Sequence, residues 1–217
     1  MTPIFMTLEL PLIALSAATA ILYGAVLNGR PASALRTVVK TVAVGALAAL
    51  AYVDQGPPAL IAALVLSAIG DAFLAGDPRR WLPPGLGAFL AAHLAYIWLF
   101  AHVGGGGWAL QAEPWRVIGV VGAFAAGTMM LTWLWSSIGP LRPAVAVYAA
   151  ALAVMTAAAF TLPRLLWPAV PGAVLFLTSD ALLSAELFKG ARSRWSGPAV
   201  WVTYYGAQAL ISYAFLR

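Results

Sequence analysis

Long runs of apolar residues, closed off by charges, glycines and prolines, make up most of this chain. Each run approaches the ~20 residues that a helix needs to cross the hydrocarbon core of a bilayer. The runs cover residues 8–27, 34–53, 58–76, 84–101, 115–136, 143–162, 167–188 and 198–216. Short punctuated stretches separate them, such as Gly76–Pro84, with Asp77, Pro78, Arg79 and Arg80, and the glycine run Gly104–Gly107. Trp81, Trp108, Trp115, Trp167 and Trp195 fall near run ends, where an amphipathic ring is best accommodated between lipid and water. The pattern predicts an all-α, polytopic membrane protein of about eight transmembrane helices. It forms one transmembrane helical domain over 1–217.

Composition strengthens this reading. Of the 217 residues 63% are hydrophobic and only 9% charged, whereas a soluble domain has about a quarter of its residues charged. Too few charges remain to coat a water-facing globule. The formal charge of +5 comes from basic residues scattered at run ends, with no basic stripe and interleaved aromatics, so no nucleic-acid partner is expected. Cysteine is absent, which excludes disulfides and thiolate metal sites. No Lys or Arg precedes Arg30, so the first run reads as a retained helix rather than a leader with a positive n-region.

The basic residues also predict orientation. Arg30, Arg36, Lys40, Arg79, Arg80, Arg142, Lys189, Arg192 and Arg194 fall on one side, against Arg116, Arg164 and Arg217 on the other. The positive-inside rule puts the first set in the cytoplasm and both termini outside.

The two halves of the chain echo each other. Gly70-Asp71-Ala72-Phe73-Leu74-Ala75 matches Ser179-Asp180-Ala181-Leu182-Leu183-Ser184, and each aspartate is followed at the same distance by a tyrosine, Tyr96 or Tyr205. The same offset carries Lys40 to within one residue of Tyr148. Four spans per half is an even number, so the repeats are expected to run parallel.

Ionisable groups inside a span are costly and usually face a protein interior or a wet cavity. Here they are Lys40, Asp71, His93 and Asp180, with Tyr96, Tyr148, Tyr205 and Gln208 as polar companions. At ~1.5 Å per helical residue, the expected orientation places them about 7–15 Å inside the cytoplasmic boundary, in one layer. Phe89, His93 and Tyr96 share a helix face, as do Trp201, Tyr205, Gln208 and Ser212. Each group also has a structural reading. The aspartates can bond Ser or Tyr across a helix interface, Lys40 can snorkel to the membrane surface, and His93 can be an interhelical donor. Glu9, Asp54, Asp77, Glu113 and Glu186 lie near span ends and read as solvated. With two histidines only, and His102 near the opposite face from His93, no metal or other cofactor is expected.

Several segments, in order, resemble one family. They are Lys40 opening the second span, Ser67-Ala68-Ile69-Gly70-Asp71, Gly87-Ala88-Phe89 through His93 to Tyr96, Gly172 through Phe176 to Ser179-Asp180, and Tyr204-Tyr205-Gly206-Ala207-Gln208. Together they are similar to the YhhN-like membrane proteins, which include the animal lysoplasmalogenases, over nearly the whole chain. One departure is Thr41 after Lys40, where the family often has proline. The resemblance implies hydrolysis of the vinyl ether bond of a lysoplasmalogen, with a lysophospholipid as substrate and membrane lipid around it. It implies Asp71 and Asp180 as an acid/base pair, Lys40 on the substrate phosphate, and His93, Tyr96, Tyr148, Tyr205 and Gln208 around the ether, glycerol or water. An Ala-, Gly- and Trp-rich chain of this kind is expected in a bacterial inner membrane, with its site toward the cytoplasmic half. Two readings compete: a proton-coupled transporter using the aspartates as relays, and a hydrolase of another lysophospholipid. A transporter needs access from both faces, whereas these groups are expected on one.

Overall fold

The computed structural model describes residues 3–217, with side chains from Leu8 onward except those of Pro78 and Arg79. The side chain of Arg79, counted in the charge asymmetry, therefore lies outside the described residues. Among the described residues the chain is helical and without strands. Eight long helices follow in order: α1 Pro3–Leu22, α2 Ala34–Val53, α3 Pro58–Leu74, α4 Pro78–Val103, then after the short α5 (Gly106–Ala112), α6 Arg116–Ile138, α7 Arg142–Ala159, α8 Ala169–Lys189 and α9 Ser196–Leu216. Five segments are long and apolar enough to cross a membrane, and one of these, Arg116–Ala159, holds both α6 and α7. Large apolar side chains such as Leu10, Ile21, Ile118 and Met129 are exposed, as lipid contact requires. The chain is a multi-pass, all-helical membrane protein.

The start of α4 and the glycine run differ from the hydrophobic pattern. The helix expected from residue 84 opens at Pro78, because a proline at the first helical position lacks only an N–H that would have no partner there. The Asp77 carbonyl accepts from the N–H groups of Arg80 and Trp81, and α4 then runs through Pro83 and Pro84. The glycine run, expected as loop, winds into α5.

The chain divides into two compact units, one reaching to Ala95 and taking in Phe215–Arg217, the other formed by Tyr96–Ala214. In the first, α1, α2 and α3 pack in sequence. The Ser16 hydroxyl of α1 donates to the Ala43 carbonyl of α2 at 2.6 Å. Small residues on α2 and α3, among them Ala43, Ala51 and Ala63, are fully buried and let the helices approach closely.

In the second unit α6 folds back onto α7 through Gly139, whose φ of +63° suits glycine. Met130, Leu134 and Ile138 of α6 pack with Val145 and Ala149 of α7. Glu113 accepts from Arg116 at 3.0 Å and from Arg164 at 3.2 Å. Hydrogen bonds from Arg164 and then Arg116 hold its carboxyl down at about 2. Arg116 is itself buried and donates to the carbonyls of Phe160 and Leu162, tying the start of α6 to the end of α7.

Helices α8 and α9 meet at Gly172. A Cβ there would lie 2.8 Å from Cγ1 of Ile211 and 3.1 Å from the Ala207 carbonyl, which is backbone and cannot swing aside. Gly172→Ala is expected to destabilise the protein by about 1–3 kcal/mol through overpacking, read as a lower melting temperature in detergent. Gly206→Ala is the control, since its Cβ would meet only Leu175 at an ordinary 3.6 Å.

Candidate active site

Asp71 sits three residues before the end of α3 and is fully buried. Gly70 beside it lets the Phe89 ring of α4 press against α3, where a Cβ would lie 2.6 Å from that ring. From α2, the Lys40 ammonium reaches Oδ1 of Asp71 at 3.0 Å, with both side chains largely withdrawn from solvent. Removing one member of such a buried pair costs ~3–5 kcal/mol, because the other charge stays behind in an apolar medium.

Around this pair lie groups that the one-dimensional pattern did not single out. Tyr23, buried where α1 loosens into the π-helical turn Tyr23–Leu27, faces two cations. Its ring centroid is 5.8 Å from the Lys40 ammonium and 5.9 Å from the Arg36 guanidinium. Arg36, one turn before Lys40 on α2, donates to the Tyr23 hydroxyl at 3.2 Å and to the Ala75 carbonyl at the end of α3 at 2.8 Å. His93, which the sequence did select, is fully buried on α4, one turn beyond Phe89.

The second unit holds a counterpart. Asp180 of α8 accepts from the Tyr148 hydroxyl of α7 at 2.6 Å, and both residues are buried. In each unit, then, a buried aspartate bonds a polar side chain on the helix before it: α2 to α3 with a cation, α7 to α8 with a neutral phenol. The offset that carries Lys40 next to Tyr148 in the sequence reappears as this shared pairing. Ser179, in the position of Gly70, donates to the Val200 carbonyl of α9 at 3.0 Å.

Tyr96 and Gln208 form the third pair. The Tyr96 hydroxyl donates to Oε1 of Gln208 at 2.5 Å, and neither residue is solvent-accessible. The Tyr96 ring stacks on Phe100 and meets Phe176 edge-on, which fixes the hydroxyl's direction. This bond orients the amide, so the Gln208 NH2 points away from Tyr96. Among the described residues that nitrogen has no hydrogen-bond partner, nor does the Ser212 hydroxyl one turn further along α9. Tyr205 is half-buried and its ring stacks on that of Trp201.

Among the described residues no group of three or more His, Cys, Asp or Glu is arranged to hold a metal. Each unit thus offers one buried carboxyl group, Asp71 facing a cation in the first and Asp180 bonded to a phenol in the second.

The YhhN family model matches residues 35–215, a stretch that includes every member of the three pairs. Proteins named lysoplasmalogenase from Mycobacterium bovis and Mycobacterium tuberculosis are each 38% identical over 163 residues, covering 72% of this chain and 59% of theirs. A Sus scrofa protein named lysoplasmalogenase TMEM86B is 33% identical over 157 residues, covering 69% of this chain and 60% of its own length. The chain thus spans about three-fifths of the length of these curated relatives. No solved structure matches it.

Proposed function

The chain belongs to the YhhN family, and from that membership and its two buried carboxyl groups we propose that it hydrolyses the vinyl ether bond of a lysoplasmalogen to a fatty aldehyde and a glycerophospho-amine. The observation that carries the reading is the pair of aspartates held by unlike partners, Lys40 on Asp71 and Tyr148 on Asp180.

Vinyl ether hydrolysis begins when a proton is placed on the alkene carbon remote from oxygen. The electrons of the double bond form the new C–H bond, and an oxocarbenium ion results. Water adds to the carbon bearing oxygen and loses a proton. The hemiacetal then collapses, the alkoxy oxygen leaves with a proton, and the aldehyde is released. A proton donor and an anionic group serve this sequence, as they serve the oxocarbenium-like state of glycoside hydrolysis. Asp180, which accepts from the Tyr148 phenol, is assigned the donor. Asp71, facing an ammonium, is assigned the carboxylate that steadies the cation and takes the proton of the attacking water. The Gln208 NH2 and the Ser212 hydroxyl supply donors for a water or a glycerol oxygen. His93 and Tyr205 are placed at the edge of the substrate, and the alkenyl chain lies among the apolar side chains of the bundle. The site is assigned to the cytoplasmic half of a bacterial inner membrane by the balance of basic residues.

Mass spectrometry of the purified protein with a lysoplasmalogen and with its saturated ether analogue tests the reading. Aldehyde is expected from the first alone, and in D2O it should carry one deuterium on the carbon next to the carbonyl. Equal turnover of the saturated ether, or an aldehyde without that deuterium, would reject the mechanism.

A further inference from the structure

Among the described residues no carboxylate forms an ion pair with Arg36. A guanidinium stays protonated in proteins and offers five N–H donors in a rigid fork. Here one terminal nitrogen donates to the Ala75 carbonyl and the other to the Tyr23 hydroxyl, both neutral acceptors. Its Nε is buried and has no hydrogen-bond partner among the described residues. Among those residues no carboxylate lies within ion-pair distance of it either. The fork is therefore held by two neutral contacts, one from the turn after α1 and one from the end of α3, with no carboxylate among the described residues paired to it.

Its location favours an anion further. Arg36 is the third residue of α2, capped by the Ser33 hydroxyl, which accepts from the Arg36 N–H at 3.2 Å. The first turn of a helix carries partial positive charge and unbonded N–H groups, a setting that suits phosphate. Lys40, the residue singled out for the phosphate from the sequence, faces Asp71 instead. One helical turn, ~5.4 Å, separates the two positions along α2, comparable to the reach of a three-carbon glycerol.

We infer that Arg36 is the phosphate-binding residue of this protein, taking the phosphodiester of a lysophospholipid head group one turn from the Lys40–Asp71 pair. The choice of lipid rests on the proposed hydrolase activity; the anion site does not. Tyr23 and the end of α3 position the guanidinium, and Lys40 is left to hold Asp71.

Binding to the protein in neutral detergent, without turnover, tests this. The probes are a saturated 1-O-alkyl glycerophosphocholine and the corresponding 1-O-alkylglycerol, which lacks the phosphate. The wild type should bind the first at least about tenfold more tightly. Arg36→Gln should reduce that preference to about twofold or less, Arg36→Lys should keep part of it, and the exposed Arg30→Gln should leave it unchanged. A wild type without preference overturns the proposal whether or not any variant folds, and so does a folded Arg36→Gln that keeps the full preference. Competition identifies the source. Displacement by the lysolipid, and not by equimolar inorganic phosphate or a diacyl phosphatidylcholine, supports the head-group assignment, while displacement by either of those overturns it. Aldehyde release plays no part in these readings, so the proposed activity and the phosphate site fail separately.

Discussion

Asp71→Asn and Asp180→Asn are each expected to lower aldehyde release from a lysoplasmalogen by about 10²–10⁴-fold, the usual contribution of a positioned acid or base. Asparagine keeps the shape of aspartate but neither gives up a proton nor carries the negative charge. The two variants should differ in stability. In Asp180→Asn the Tyr148 hydroxyl can donate to the amide oxygen in place of the carboxylate at 2.6 Å, so the fold loses little. In Asp71→Asn the Lys40 ammonium loses the negative charge it faces at 3.0 Å in a largely buried position, and the melting temperature should fall visibly. Equal loss of activity with unequal loss of stability is the expected signature. Retained turnover in both folded variants would remove the aspartates from the chemistry.

The helices were legible because bilayer-spanning segments are written as unbroken apolar runs, and α2, expected at 34–53, falls on Ala34–Val53. The start of α4 was not, since Pro83 and Pro84 read as a break while the opening proline is Pro78. The aspartates stood out through their cost in a hydrophobic span, and the internal offset set Tyr148 beside the position matching Lys40 without saying what either would touch. Their pairings with Asp180 and Asp71 cross from one helix to the next, which hydrophobic periodicity within a helix does not encode. Arg36 was read only as a marker of orientation, because a basic residue near a span end fits the positive-inside rule whatever it touches. Its contacts depend on Tyr23, which approaches α2 where α1 loosens into a π-helical turn, and no local residue pattern announces that turn. Tyr205 matched Tyr96 in spacing, yet its ring lies on Trp201 while Tyr96 bonds Gln208. Matching positions in the two halves have thus taken different neighbours.

Whether Asp71 is there for chemistry or as a counter-ion for Lys40 is decided by a double-mutant cycle. Lys40→Met keeps the length and apolar stem of the side chain and removes the cation facing Asp71. It is expected to cost about 3–5 kcal/mol, the penalty for breaking a buried ion pair by removing one partner. Lys40→Met with Asp71→Asn removes both charges, so most of that stability should return, as replacement of both members of a buried pair is often close to neutral. Activity should not return with it. The recovered fold would have an intact α2–α3 contact but no anion to steady the oxocarbenium ion or take the proton of the attacking water. Thermal unfolding in detergent gives the first reading and aldehyde release the second. A double variant that regains both would make Asp71 a structural partner of Lys40 and leave the chemistry to Asp180. Stability without turnover places the negative charge of Asp71 in the reaction itself.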